Sequence, residues 1–285
     1  DGFRIPSSAP PSLAPPKSQA SAQHRPDVTR DKIAKEIGMG RVVGPFDSPP
    51  MPAMIFSPLG LVPKKEQGEF RLIHNLSYPA GLSVNDGLDE RLCAVRYTSF
   101  EEAITKLQGL GKGALMAKTD IPSAFWLLLV HLDDTRLLGF TFDGKFYMDC
   151  CMPMGCAIAC SLFETFSRFL GWAVGDLVKT RNIVHYLDDF LFMGPVGSPA
   201  CSCILQGFCE MSMALGVPLA AEKTEGPSTC LSFLGLEIDS VTGECRLPRA
   251  NEEVFREAVR AWFEDSHESL MFAMSTTVTF TNHVS

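Results

Sequence analysis

The sequence predicts an α+β fold, with a mainly antiparallel sheet covered by helices on one face. Three observations predict it. Hairpin signals recur between short apolar runs, above all Asp143-Gly144 and Thr242-Gly243. Helical spacing of apolar residues appears in separate stretches, the longest being Ile158 to Val178. No internal repeat points to a solenoid or propeller.

Each element follows in order. Residues 1–30 are rich in Pro, Ser and Ala without hydrophobic period and read as disordered. Residues 31–41 predict a short helix, and Gly44 to Pro58, with five prolines, an irregular extended segment. Leu59 to Lys65 and Glu69 to His74 predict a hairpin turning at Glu66-Gln67-Gly68. Phe100, Ala103, Ile104 and Leu107 predict a helix over 99–109. Ala114 to Asp120 reads as a buried strand that ends in a carboxylate, and Leu137 to Phe142 with Lys145 to Cys151 as a hairpin. Ile183 to Met193 divides into two short strands with Asp188-Asp189 at the bend. A helix over 199–214, a strand at 217–220, a hairpin over 232–247 and an amphipathic helix over 251–264 complete the prediction.

The 285 residues, 46% hydrophobic and 20% charged, suffice to bury a core in one or two domains. The chain begins at Asp1 rather than Met, which reads as a fragment or processed product. Its start lacks the features of a signal peptide. The best apolar stretch, Cys150 to Gly175, is broken by Glu164 and Arg168, so a membrane is not an expected partner. Ten scattered cysteines, with no pair of CxxC motifs, suit neither a zinc site nor a disulfide scaffold. They predict reduced thiols in an intracellular protein of cytoplasm or nucleus, not a secreted one.

Net charge is −8, unevenly spread. Residues 1–118 carry 15 Lys and Arg against 12 Asp and Glu, whereas 119–285 carry 10 against 21. Bound divalent cations would offset part of that excess. The lack of a broad basic surface argues against tight nucleic-acid binding by this chain alone.

The most informative string is HYLDDFLF, residues 185–192. Adjacent acids between apolar strands are costly unless their charge is compensated. Alone, Asp188-Asp189 would read as a solvated turn. Asp120, at the end of a separate apolar strand, changes that reading. Magnesium takes a few carboxylates plus substrate phosphates, and two ions roughly 3.5–4 Å apart activate a hydroxyl and stabilise a leaving pyrophosphate. Three convergent aspartates on two strands suit that chemistry.

In order, KTDIPSAFW (118–126), CMPMG (151–155), YLDDF (186–190), Lys223 and FLGLEID (233–239) resemble the palm of reverse transcriptases. SPLGLVPKKEQGEFRLIHNLSYPAGLSVNDG (57–87) is similar to the fingers of retrotransposon enzymes. The wording is most similar to tyrosine-recombinase (DIRS-type) elements, with gypsy-type elements next. The resemblance covers roughly residues 40–250, and five motifs in order are a specific signal.

The resemblance implies a right-hand polymerase: fingers and connecting segment over 31–118, palm over 119–250, a truncated thumb and divergent tail over 251–285. It implies RNA-directed DNA synthesis with Mg2+ (two ions, Mn2+ as an alternative), deoxynucleoside triphosphates, and an RNA or DNA template with its primer. Asp120 and Asp188 match the main metal ligands, Asp189 the adjacent acid, and the Ile121 carbonyl completes a metal shell. Phe125 matches the steric gate under the incoming sugar; an ordinary core Phe is the competing reading.

Arg71 and Lys64, with Lys65 as an alternative, match the fingers residues that grip the triphosphate. Lys223 matches the lysine that protonates or neutralises pyrophosphate, against an exposed loop lysine. Met154 and Gly155 stand where the family contacts nucleotide and template; many relatives carry Gln at the Met154 position. Tyr186 and Leu187 match contacts to the primer end and nascent base pair, and FLGLEID the primer-grip hairpin. Asn75 stands where many relatives carry Asp. His74 and His185 lack a Cys or His at ligand spacing and read as structural.

After residue 250 the resemblance fades, leaving no acidic quartet of a ribonuclease H and no basic helix to track a duplex. Two readings therefore stand: a competent polymerase core, or a non-enzymatic retroelement remnant. An RNA-dependent RNA polymerase is disfavoured by Phe125 and the YLDD context.

Overall fold

The computed structural model describes residues 2–64, 68–248 and the backbone of 277–279. The elements, in chain order, begin with helices α1 (Ala20–Gln23) and α2 (Pro26–Gly38), then strands β1 (Val42–Phe46), β2 (Leu59–Pro63) and β3 (Phe70–His74). Helices α3 (Glu90–Cys93) and α4 (Phe100–Leu110) follow, then strands β4 (Leu115–Asp120), β5 (Gly139–Phe142) and β6 (Lys145–Asp149). Next come helix α5 (Ala159–Leu177), strands β7 (Ile183–Tyr186) and β8 (Asp189–Gly194), and helix α6 (Ala200–Ala214). Strands β9 (Glu225–Ser228), β10 (Cys230–Phe233), β11 (Leu236–Asp239), β12 (Glu244–Arg246) and β13 (Thr277–Thr279) close the series.

The chain divides into two compact units, 1–96 with 123–166, and 97–122 with 167–285. This division is not the sequential one expected from fingers over 31–118 and palm over 119–250. Residues 100–120 hold α4 and β4; β4 pairs with β8 and β9, which begin at residue 189 or later, and α4 packs on the same sheet, so both belong with the later part of the chain.

In the first unit, β2 and β3 form the expected antiparallel hairpin, Leu59 opposite His74 and Pro63 opposite Phe70. Its anticipated turn falls at 65–67, outside the described residues. A second sheet has the order β1-β6-β5. Its β5–β6 hairpin turns at Asp143 and Gly144, with φ of 48° and 71°. Positive φ at both central residues is what a two-residue hairpin turn requires and what Asp-Gly supplies. Strand β1, expected to be irregular, is an edge strand whose register shifts between Val43 and Phe46, where it accommodates Pro45. Ile33, Val42, Leu59, Phe140, Phe142 and Tyr147 form this unit's packed cluster.

Residues 1–30 are not the disordered segment their composition suggested. Phe3 exchanges backbone hydrogen bonds with Leu129 and His131. The Arg4 guanidinium and the Ile5 amide both donate to the buried Asp134 carboxylate. Serines of this segment serve as acceptors for distant backbone amides: Ser12 Oγ accepts from Phe56 N and Ser21 Oγ from Leu61 N of β2. Ile5 and Ala22 are buried. Isolated anchors of this kind leave no periodic trace in a sequence.

In the second unit a four-stranded sheet has the order β7-β8-β4-β9. Met116 pairs with Met193 and Lys118 with Leu191, so these side chains share one face. That face packs Met116, Leu191, Met193 and Val184 with Ala103 and Leu107 of α4 and with Leu231, Phe233 and Ile238. Ser99 caps α4, its hydroxyl accepting from the Glu102 amide at 3.1 Å. The opposite face carries Phe190 and Phe192, whose rings meet Phe208 of α6 at 4.5 and 5.0 Å.

Two expectations fail near the sheet edge. Residues 217–220 form no strand; the outer partner of β4 is β9, an edge strand that tolerates the Gly226-Pro227 that disguised it. The hairpin expected over 232–247 is a meander of three strands: Leu234-Gly235 turns between β10 and β11 before the Thr242-Gly243 turn leads to β12. The helix expected over 251–264 lies outside the described residues. Within the tail, β13 pairs antiparallel with β12, Thr279 opposite Glu244. All ten cysteines are unpaired thiols, and no helix among the described residues is long and apolar enough to cross a membrane.

Candidate active site

The second unit gathers seven of the candidate residues at one end of its four-stranded sheet. Asp120, last in β4, lies directly opposite Asp189, first in β8. Both continue the face whose other members are Met116, Lys118, Leu191 and Met193. The apolar cluster ends where the carboxylates begin. Strands β7 and β8 close on a two-residue turn, Leu187-Asp188, with Tyr186 paired to Asp189. Leu187 has φ of 52°, the left-handed region that branched side chains rarely occupy, a cost on the order of 1–3 kcal/mol carried at this turn. Ile121 N donates to the Asp188 carbonyl at 3.1 Å, tying the turn to the end of β4.

Lys223 is not a loose loop lysine. Ala220 N donates to the Asp120 carbonyl, a 3-10 turn follows over Ala221–Lys223, and Nζ of Lys223 donates to Asp120 Oδ2 at 2.6 Å. Thr119 and Thr224 hydroxyls bond at 2.7 Å and fix the same crossing. The bond to Asp120 holds the Lys223 ammonium above its usual range. Burial, with the charges of Asp188 and Asp120, pushes the Asp189 carboxyl up to about 6. A site that resists its own negative charge in this way favours a cation, and carboxylate oxygens are the hard donors that magnesium takes. Among the described residues no three His, Cys, Asp or Glu side chains stand as a ready-made cage.

The other candidates lie in the first unit. Val62 pairs with Arg71, and Lys64, two residues on, shares that exposed face. Lys65 falls outside the described residues. Phe125 stands in a 3-10 helix, Ala124–Leu127, half-buried and edge-on to Phe163 at 5.9 Å. Gly155 is exposed with φ of 119°, and a Cβ there would meet the His74 carbonyl oxygen at 2.1 Å. Only glycine permits this approach. His74 N in turn donates to the Met154 carbonyl at 3.2 Å.

A match to the model of the reverse transcriptase (RNA-dependent DNA polymerase) family spans residues 62–238, more than half of the chain. The chain belongs to this family. Its reverse transcriptase fold is also found in solved structures of a foamy viral protease-reverse transcriptase. One, described as a complex with RNA/DNA hybrid, has a TM-score of 0.67 at 18% identity and covers 88% of this chain and 30% of that one. Another, described as a complex with ds DNA, has a TM-score of 0.66 at 18% identity and covers 89% and 40%. Among curated proteins, the genome polyproteins of two Petunia vein clearing virus isolates, Shepherd and Hohn, are each 25% identical over 134 residues. The match takes in 47% of this chain but only 6% of those polyproteins.

Three features of this reverse transcriptase domain escaped the sequence reading. Tyr97 lies against Tyr186 with ring centroids 4.7 Å apart, a contact across 89 positions that no local pattern announces. His74 is structural, as expected, but through a buried pair: Nδ1 faces Asp149 Oδ2 at 2.7 Å and Nε2 the Gly139 carbonyl at 3.1 Å. Both ring nitrogens thus face oxygens in a buried setting, and burial pushes the Asp149 carboxyl up. Asn85 is the third.

Proposed function

We propose that this chain is the polymerase core of a reverse transcriptase, extending a primer on an RNA or DNA template with deoxynucleoside triphosphates. The observation that carries the proposal is the pairing of Asp120 with Asp189 at the sheet end beside the Leu187-Asp188 turn. Asp120 and Asp188, with Asp189 and the Ile121 carbonyl in support, would hold two divalent cations, Mg2+ or Mn2+. When bound, the cations supply charge stabilisation for the attacking and leaving oxygens.

The chain's own residues position and neutralise. The primer 3′-oxygen forms a bond to the α-phosphorus as the bond to pyrophosphate breaks. Lys223 carries the proton and charge suited to the departing pyrophosphate, and its bond to Asp120 holds the ammonium at the metal end of the sheet. Arg71 and Lys64 (or Lys65) grip the triphosphate from the exposed hairpin face. Phe125 acts as the gate against a 2′-hydroxyl, Met154 and Gly155 face nucleotide and template, and Tyr186 and Leu187 the primer end. Catalysis of this kind rests on positioning and electrostatics.

Primer extension on poly(rA)/oligo(dT) with magnesium tests the reading. The chain is expected to incorporate dTTP, and Asp188→Asn to remove nearly all incorporation while leaving the circular dichroism spectrum unchanged. A folded wild-type chain that incorporates nothing would identify a non-enzymatic remnant instead.

A further inference from the structure

We infer that Asn85 is a positioning residue for the segment Met154–Ala157, and thereby for nucleotide binding; the second half of the inference rests on the nucleotide-facing role proposed for Met154 and Gly155. The backbone of that segment is gripped from two sides. On one side, His74 N donates to Met154 O and the His74 carbonyl abuts Gly155 so closely that no side chain fits. On the other, the Asn85 amide spends both of its donors and one acceptor site of its oxygen. Nδ2 donates to Gly155 O at 2.8 Å and to Ser77 Oγ at 2.9 Å, while Oδ1 accepts from Ala157 N at 2.9 Å. The Ala157 N–H is a donor only, which fixes the orientation of the amide.

Asn85 is itself held rigidly. Its N–H donates to Leu76 O at 2.9 Å, and its neighbours Ser83 and Val84 are fully buried. Ser83 Oγ donates to Asp86 Oδ2 at 2.6 Å. The N-terminal segment braces the same loop from behind: Ser7 Oγ donates to Val84 O at 2.7 Å and Ser8 N to Gly87 O at 2.9 Å. Gly155, lacking a side chain and held at positive φ, has no local means of fixing its own conformation. The flanking residues supply it. An amide is the one short side chain that can donate to the Gly155 carbonyl and accept from the Ala157 N–H together. Aspartate keeps the acceptor but sets a carboxylate against the Gly155 carbonyl; alanine keeps neither.

The test uses the full chain carrying Asn85→Ala and, as a variant of unchanged size, Asn85→Asp. Hydrogen exchange at the Ala157 amide needs no activity. It is expected to accelerate about tenfold in Asn85→Ala. In primer extension, both variants are expected to raise KM for dTTP about five- to tenfold with kcat changed less than twofold, the pattern of lost ground-state binding. A merely structural role would lower the melting temperature and the active fraction without moving KM. Unchanged exchange at Ala157, or faster exchange with an unchanged KM, overturns the inference while leaving the polymerase reading intact. A wild-type chain that folds yet extends nothing defeats the polymerase reading first, and the nucleotide half of this inference with it. Exchange at Ala157 then still decides whether Asn85 holds the segment.

Discussion

Nζ of Lys223 lies 2.6 Å from Oδ2 of Asp120, 103 residues earlier in the chain. The ammonium therefore occupies part of the electrostatic role that a cation would take at the same carboxylate. Lys223→Ala is expected to lower both the turnover and the magnesium requirement. Turnover in primer extension should fall about 10²-fold, the scale of a lost proton donor. The magnesium concentration for half-maximal rate should fall too, because Asp120 no longer has a competing partner. A magnesium titration of both proteins checks this, and a raised requirement contradicts it.

The Asp189 carboxyl, pushed up to about 6, links stability to pH. Its folded-state value exceeds the unfolded one of about 3.9, so the folded form binds the proton more tightly. The stabilisation is fully present below about pH 4 and is lost as pH rises through about 6. The shift implies at most about 3 kcal/mol, which solvent screening of this half-buried carboxyl reduces to on the order of 2 kcal/mol. In chelator-treated protein, urea midpoints should therefore decline over that window in the wild type relative to Asp189→Asn. Parallel pH profiles would contradict the assignment.

His74→Ala removes the partner of a buried carboxylate. Asp149 and the Gly139 carbonyl would both lose their bonds, with an expected cost of about 3–5 kcal/mol in urea unfolding. A change below about 1 kcal/mol would mean that the pair is replaceable by water.

At the N-terminal segment, Asp134 is buried while Arg4 is largely exposed. Asp134→Ala leaves the Ile5 amide without its acceptor and should cost about 1–3 kcal/mol, whereas Arg4→Ala should cost no more than about 1 kcal/mol. Thermal unfolding of the two variants checks the order, and equal losses would contradict it.

Phe125→Ala should admit a 2′-hydroxyl and raise the ratio of ribonucleotide to deoxynucleotide incorporation efficiency, by tenfold or more on the scale of about 1.4 kcal/mol. An unchanged ratio in a variant that still extends primers would return Phe125 to a packing role against Phe163.

What could be read in advance divides along a physical line. The β5–β6 turn was legible because Asp143-Gly144 meets a backbone requirement locally. The meeting of Asp120 with Asp189 was legible because charge at the end of apolar strands is locally anomalous. Strand β9 was hidden because its identity depends on being an edge, which only its neighbour β4 determines. The order of residues 2–30 was hidden because serine hydroxyls spent on distant backbone amides leave no pattern in the sequence. Asn85 and Tyr97 became meaningful only through contacts made 70 or more positions away.

The register that sets Asp120 opposite Asp189 also predicts which deletions the strand would tolerate. Side chains along a strand alternate with a period of two. Losing a single residue from β4 would carry Thr119 to the end of the strand's other row and strand the carboxylate among the phenylalanines facing α6. Losing two adjacent residues would shorten the strand but keep Asp120 on its own row. Single-codon deletions within 115–119 should thus be more damaging than double ones, an odd–even pattern that substitution scanning would never display.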